Sequence, residues 1–286
     1  VESRIEHHDI LDSRQFLIAV KRLADSLNYG GDHSPFLGSG VDYVQSRLYQ
    51  YGDPIKLIDW RVTARTRRVH VKEYEAPKRM PVYLLIDTSA SMAITSHHRS
   101  KYETAVFIAG GLALACLERI SPVGVLGIGG RSLHVRPSMS RDQVMQWLHG
   151  LRTYRHDEPT TLGERVAQLT PTLPHRVLVI VLSDLHDPKA ISSLRRLAQQ
   201  HDCAVVQLRD PAEEHLSGAG FVRGREAETG EPVLVRRRAR WLDQTQVNEQ
   251  FKSRGIDHIL IDVDRPYASQ LRHFFRTRDL LGRGAR

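Results

Sequence analysis

The stretch Val82-Tyr-Leu-Leu-Ile86-Asp87-Thr-Ser89-Ala-Ser91 decides how the rest of the chain is read. An apolar run ends abruptly in an acid, followed by two hydroxyls at alternate positions. A short continuous apolar run bounded by turn residues reads as a strand buried on both faces, the habit of parallel sheets. The pattern returns at Arg176 to Leu182, which is intensely apolar and stops at Ser183-Asp184. Val123 to Ile128, Cys203 to Leu208 and Ile256 to Val263 read as further strands.

Helical patterns lie between them. Ser100-x-x-Glu103 predicts a capping box, in which each side chain satisfies a free amide at the start of a helix running to Arg119. Val144, Leu148 and Leu151 mark a second helix, and Leu162, Val166 and Leu169 a third. Pro188 opens a fourth, Asp243 and Gln246 cap a fifth that stops near Gly255, and Pro266 to Arg278 is the last. Strands alternating with helices predict an α/β fold: a doubly wound, mostly parallel sheet with helices on both faces. Residues 81–286 are expected to form this domain. An insertion at 210–240, punctuated by Gly218, Gly220, Gly224 and Gly230, reads as a β-hairpin or extended loop. Residues 1–80 read as an N-terminal extension packed on the main domain. It holds an amphipathic helix within Asp12 to Leu27 and a strand around Gln45 to Tyr51. A turn at Gly52-Asp53-Pro54, a helical turn at Leu57 to Trp60 and a strand across Val69 to Tyr74 follow.

Composition narrows the class. The 286 residues are 41% hydrophobic and 26% charged, which excludes collagen, coiled coil and wholesale disorder. The net charge of +8 permits an acidic partner without choosing one. Cys116 and Cys203 belong to no metal-ligand cluster and read as buried apolar residues in a reducing compartment. The longest uncharged apolar stretch, Ala105 to Leu117, is short of the roughly 20 residues a spanning helix needs. The expectation is a cytoplasmic protein with no membrane span, peripheral association being left open.

In an open α/β sheet, ligands bind beyond the carboxyl ends of the strands. Asp87 and Asp184 stand at two such ends. Asp87, Ser89 and Ser91 together offer hard oxygen donors with little charge, which suits Mg²⁺, or Ca²⁺ or Mn²⁺, better than Zn²⁺ or Cu²⁺. Thr160 or Thr161, just before a helix, can add a hydroxyl to the same crevice. Asp184 is expected to hold a metal-bound water or to accept from Ser89 or Ser91. The expected metal set is therefore Asp87, Ser89, Ser91, Thr160 and Asp184. Gly127-Ile-Gly129-Gly130 imitates a phosphate loop but is followed by a strand, so a hairpin turn is favoured. His97-His98 are expected to face solvent. Asp59-Trp60 and Arg65 are expected to form a structural polar cluster between the N-terminal part and the sheet, and Arg236-Arg237-Arg238 with Arg240 a solvated face, an acidic partner being the alternative.

The Asp87-x-Ser89-x-Ser91 set, with Thr160 and Asp184, resembles the metal-ion-dependent adhesion site of von Willebrand factor A domains. The string Arg47-x-Tyr49-x-x-Gly52-Asp53-x-x-x-x-Ile58-Asp59-Trp60-x-x-x-Ala64-Arg65 resembles the bacterial family catalogued as domain of unknown function 58. Asp210-Pro211 and Glu228-Thr229-Gly230-Glu231 resemble that family's insertion, and the likeness spans roughly residues 38–265. The family's usual Gly-Gly-Thr-Asp/Asn-Leu stands here as Glu158-Pro159-Thr160-Thr161-Leu162, which makes Thr160 the ligand by position. The resemblance implies a von Willebrand factor A-like fold and a binding module rather than an enzyme. It also implies a partnership with a MoxR-type AAA+ ATPase in assembling or maturing protein complexes, methanol dehydrogenase maturation being one such setting. A carboxylate from an acidic client would complete the metal shell.

A Mg²⁺-dependent phosphoryl hydrolase is the alternative, since a strand-end Asp can act as a nucleophile. The residue two positions after Asp87 is Ser89 rather than a second acid, which weighs against it. Nucleic-acid binding has only the net charge in its favour, because no basic and aromatic reading motif is present.

Overall fold

The computed structural model describes residues 2–4, 18, 20–25, 42–53, 55–75, 80–118, 120–130, 133–155, 157–173, 176–214, 221–225, 232–236 and 244–280. In chain order these contain β1 (Glu2–Arg4), the helical residues 20–25 (α1), β2 (Asp42–Leu48), α2 (Trp60–Thr66) and β3 (His70–Glu75). There follow β4 (Val82–Ile86), α3 (Ala90–Ala93), α4 (Lys101–Glu118), β5 (Val123–Gly127), β6 (His134–Ser138), α5 (Arg141–Leu151) and β7 (Thr153–Arg155). The remainder is α6 (Leu162–Leu169), β8 (Leu178–Ser183), α7 (Ala190–Leu197), β9 (Asp202–Arg209), α8 (Pro211–Glu214), β10 (Phe221–Arg225) and β11 (Pro232–Arg236). It closes with α9 (Gln244–Lys252), β12 (Asp257–Asp262) and α10 (Ala268–Leu280).

Six strands form the central sheet in the order β12-β9-β8-β4-β5-β6. All neighbours are parallel except β5 and β6. Side chains alternate across a strand, so β4 feeds two cores. Val82, Leu84 and Ile86 join α4, α5 and α10 on one face, while Tyr83 and Leu85 join α6, α7 and α9 on the other. The expected mixed α/β architecture, a mostly parallel sheet flanked by helices, is therefore present.

Helix α4 explains the long apolar stretch in the sequence. It is buried from Lys101 to Cys116, as a helix apolar all round must be when it lies inside a core. No helix among the described residues is long and apolar enough to cross a membrane. The predicted capping box forms: Glu103 N donates to Ser100 Oγ (3.0 Å) and Ser100 N to Glu103 Oε2 (3.1 Å). Val20 and Leu23 of α1 pack on α4, close enough that a Cβ on Gly110 or Gly111 would lie 2.8 and 2.7 Å from them. Both cysteines are buried and free, and burial pushes the Cys203 thiol up to about 12, which keeps it inert.

Some elements differ from the sequence expectation. The helical turn expected at Leu57 to Trp60 is a 3-10 turn at Ile55–Leu57, and the α-helix begins only at Trp60. Asp59 is its N-cap, accepting from the amides of Arg61 and Val62 at 3.1 Å each, which is why the helix cannot start earlier. The expected hairpin in the insertion is β10 paired antiparallel with β11. Residues 237–243, with Arg237, Arg238, Arg240 and Asp243, lie outside the described residues.

Candidate functional site

The sheet changes winding direction between β4 and β8. From β4 the chain moves to β5 on one side, then crosses to β8 on the other. Such a switch point leaves a crevice above the carboxyl ends of the two strands, because the connecting segments depart in opposite directions. Asp87 and Ser183-Asp184 stand at this crevice.

Asp87 is fully buried. Its amide is fixed to Leu182 O (2.9 Å), which extends the β4–β8 ladder by one residue and aims the carboxylate. Ser183 Oγ donates to one carboxylate oxygen (2.6 Å) and Ser89 N to the other (3.0 Å). Ser89 is the N-cap of the single-turn helix α3, which swings Ser91 round so that the two hydroxyls are 3.0 Å apart. The strand-exit spacing thus does what the sequence implied and brings Ser89 and Ser91 together beside Asp87. The Glu158–Thr161 segment is tied to the same turn. Thr88 Oγ1 donates to Glu158 Oε2 (2.7 Å), and Ala90 N donates to Glu158 O (2.8 Å). Thr160 is half-buried on this segment. Thr161 is the N-cap residue of α6, with its hydroxyl toward Ile128 O and Gly129 O at 3.4 and 3.5 Å.

The described partners of Asp184 are a lysine and a histidine rather than the serine hydroxyls. Lys101 Nζ, 1% exposed, donates to Asp184 Oδ2 at 2.8 Å and also pairs with Glu213 of α8. His186 N donates to Asp184 Oδ1 (3.2 Å), and His186 Nδ1 lies 3.2 Å from Oδ2. Neither Ser89 nor Ser91 is among the described donors to Asp184; Ser183 donates instead to the neighbouring Asp87. Asp184, His186 and Glu213 each present one ligand atom, all within 4.8 Å of one another, a set that could hold a metal ion. The Lys101 ammonium already pairs with two of the three, Asp184 and Glu213, and its single charge balances one of those two carboxylates.

These contacts divide the acids electrostatically. Burial first, and then repulsion from Asp184, push Asp87 up to about 6, against the hydrogen bonds from Ser183 and Ser89. Burial also opposes ionisation of Asp184, but Lys101 and His186 outweigh it and hold that carboxyl well below the ordinary range. Burial would lower both cations, yet the carboxylates around Lys101 and Asp184 beside His186 raise them. Two buried carboxylates thus sit together, one permanently paired and one whose charge is uncompensated by any described cation in direct contact.

A further tie, outside the expected set, fastens the loop after Ser91. Ser96 N donates to Asp210 Oδ2 (2.7 Å), and Ser96 Oγ donates to Asp210 Oδ1. Residues 210–214, read from sequence as the start of an insertion, therefore fasten the loop that follows Ser91. His97 and His98 are exposed, as expected. Gly127-Ile-Gly129-Gly130 is a hairpin turn between β5 and β6, with Gly127 N bonded to Leu133 O (2.9 Å). Gly129 is small because the Thr88–Glu158 pair lies against it: an added Cβ would be 2.2 Å from Thr88 Oγ1.

Sequence reasoning missed Lys101, Ser183, His186 and Glu213. A signal existed for the first, since a lysine at the start of an otherwise apolar helix must find an acid once buried.

The fold and the crevice define a mixed α/β protein with paired strand-end carboxylates at the sheet's switch point. The family described as protein of unknown function DUF58 matches residues 45–258, and the chain belongs to it. It is 25% identical over 281 residues to the uncharacterized protein Rv1480 of Mycobacterium tuberculosis, covering 93% of this chain and 88% of that protein. The uncharacterized protein Mb1516 of Mycobacterium bovis matches equally. Among solved structures, the conserved hypothetical protein BatB from Bacteroides thetaiotaomicron aligns with a TM-score of 0.46 and 15% identity, over 70% of this chain and 99% of that one. An uncharacterized membrane spanning protein from Vibrio fischeri aligns with a TM-score of 0.25 and 17% identity, over 70% of this chain and 96% of that one.

Proposed function

We propose that this protein is a non-enzymatic, metal-dependent interaction adaptor with a von Willebrand factor A-like adhesion site. It would work with a MoxR-type AAA+ ATPase in assembling or maturing other protein complexes. The observation that carries the reading is the pair of hydroxyls, Ser89 and Ser91, 3.0 Å apart beside buried Asp87 at the switch point. Asp87, Ser89, Ser91 and Thr160 are an all-oxygen donor set of low charge, which fits a hard divalent cation such as Mg²⁺. Asp184 would act from the second rank, its charge held by Lys101. A cation bound among neutral hydroxyls keeps its electrophilicity and supplies a contact for a carboxylate of an acidic client. The chain's own residues would do the rest. Asp87 fixes the Ser89 turn, Ser183 orients Asp87, and the Glu158 tie holds the Thr160 segment in place.

Calorimetric titration of Mg²⁺ into chelator-stripped protein tests the site. Binding is expected in the native chain and loss of about tenfold or more in Ser89→Ala/Ser91→Ala. Equal binding by both would sink the proposed ligand set. Co-purification with a MoxR-type AAA+ ATPase from the same organism, with and without Mg²⁺, tests the partnership; capture that ignores the metal would sink the metal-dependent role. Phosphate-ester turnover abolished by Asp87→Asn would replace the adaptor reading with a hydrolase.

A further inference from the structure

Asp59, Trp60 and Arg65 do not come together in the structural polar cluster expected of them. Asp59 alone is buried, capping α2 and accepting from Ser46 Oγ at 2.7 Å. Trp60 is 68% exposed, and Arg61, Arg65, Arg67 and Arg68 are all exposed. Just ahead of them, Tyr51 and Ile55 are 104% and 72% exposed.

The fold creates this face deliberately on one side. Val62 and Thr63 are half-buried, and Thr63 Oγ1 accepts from His70 N (3.0 Å), so they turn toward β3. At 3.6 residues per turn, Trp60, Arg61, Ala64 and Arg65 then share the opposite arc of about 140°. The stretch from Leu48 to Val69 contains two acids, Asp53 and Asp59. Asp53 is held in a bidentate pair by Arg47 (2.7 and 2.8 Å), and Asp59 is committed to the helix cap. Neither reaches the exposed arginines, which form no ion pair among the described residues. Among the described residues the local charge is therefore uncompensated and positive, with large apolar groups set among the cations.

We propose that the outward face of α2 and the turn before it form a docking surface for an acidic protein segment that also carries apolar side chains. The surface shares no residue with the metal crevice and acts independently of it. Three features favour a protein partner. Exposed Trp, Tyr and Arg are the residue types that dominate protein–protein hot spots. The exposed cations from Trp60 to Val69 are all arginine, whose planar fork matches carboxylates. Trp60 also sits among the charges rather than on a separate apolar face, which is the arrangement an interfacial membrane helix needs.

The test uses the full chain, with chelator present, and a fluorescent peptide of Glu and Asp interspersed with Leu and Phe. A control peptide replaces each acid by its amide. The acidic peptide is expected to bind, the amide peptide to bind at least tenfold more weakly, and Ser89→Ala/Ser91→Ala to change nothing. Arg61→Glu/Arg65→Glu and Trp60→Ala should each weaken binding about tenfold or more. These side chains are exposed, so their thermal midpoints should stay near the native one. Arg61→Lys/Arg65→Lys should restore only part of the affinity, because the fork is lost. No binding of the acidic peptide, or equal binding by the variants, overturns the proposal. Tighter binding of phosphatidylserine-containing vesicles or single-stranded DNA through the same residues overturns the choice of partner. Failure of the metal reading would leave these outcomes unchanged.

Discussion

The Lys101 ammonium stands 2.8 Å from the Asp184 carboxylate, both fully enclosed, although 83 residues separate them in sequence. The pair gives the crevice a cation of its own. One of its two strand-end acids is thereby kept ionised, while Asp87 beside it has no described cation in contact and its carboxyl is pushed up to about 6.

Breaking that pair should be costly. Lys101→Met strands a buried carboxylate, and such a loss typically costs roughly 3–5 kcal/mol. Chemical denaturation should show a large drop in the midpoint. The double variant Lys101→Met/Asp184→Asn should recover a good part of it, since the enclosed charge is gone and the remaining partner, Glu213, is partly exposed to solvent. No difference between the single and double variants would mean that the pair contributes through packing alone.

The raised Asp87 carboxyl makes a signed prediction about pH. Its folded value, about 6, lies above its ordinary value of 3.8, so the folded chain holds this proton more tightly. The contribution of Asp87 is fully present below the unfolded value and is lost as pH rises through about 6. Without divalent metal, urea midpoints of the native chain relative to Asp87→Asn should therefore fall between about pH 4 and pH 6. Mg²⁺ needs the ionised form, so its affinity should decline as pH falls below about 6. A native-to-Asn difference that is flat across this window would contradict the assignment.

Asp210 should matter more to the loop than to the core. Asp210→Ala removes two hydrogen bonds to Ser96 and should cost about 1–3 kcal/mol. Hydrogen exchange should rise selectively around residues 94–100, which follow the Ser91 turn. Uniform exchange across the chain would argue against a local latch.

Gly129→Ala should be poorly tolerated. The new Cβ would fall 2.2 Å from Thr88 Oγ1 and 2.5 Å from Glu158 Oε2, forcing that buried pair apart. The expected loss is about 1–3 kcal/mol, with weakened Mg²⁺ binding if the Thr160 segment shifts with Glu158. Gly130→Ala, whose nearest contact would be 3.2 Å, is the milder control.

The strands were readable because apolar runs such as Val82 to Ile86 and Leu178 to Leu182 have no other stable use than burial on both faces. The capping box at Ser100 and Glu103 was readable for a related reason: it satisfies local amides with local side chains. Ser89 and Ser91 were legible as a pair because chain exit from a strand is also local. Trp60 and Arg65 were expected to join Asp59 in a structural polar cluster but face outward, because composition says nothing about which side of a seven-residue helix meets the next strand.

The sequence by itself determined the alternation of strands and helices, the positions of Asp87 and Asp184 at strand ends, and the DxSxS turn between them. These follow from short-range periodicity and turn chemistry. Only the tertiary structure decided what each acid faces. Parallel pairing of β4 with β8 set the two carboxylates side by side, and α4 and α8 delivered Lys101 and Glu213 from far along the chain. Those contacts depend on strand order, which no local pattern encodes, and they are what make two similar aspartates electrostatically different.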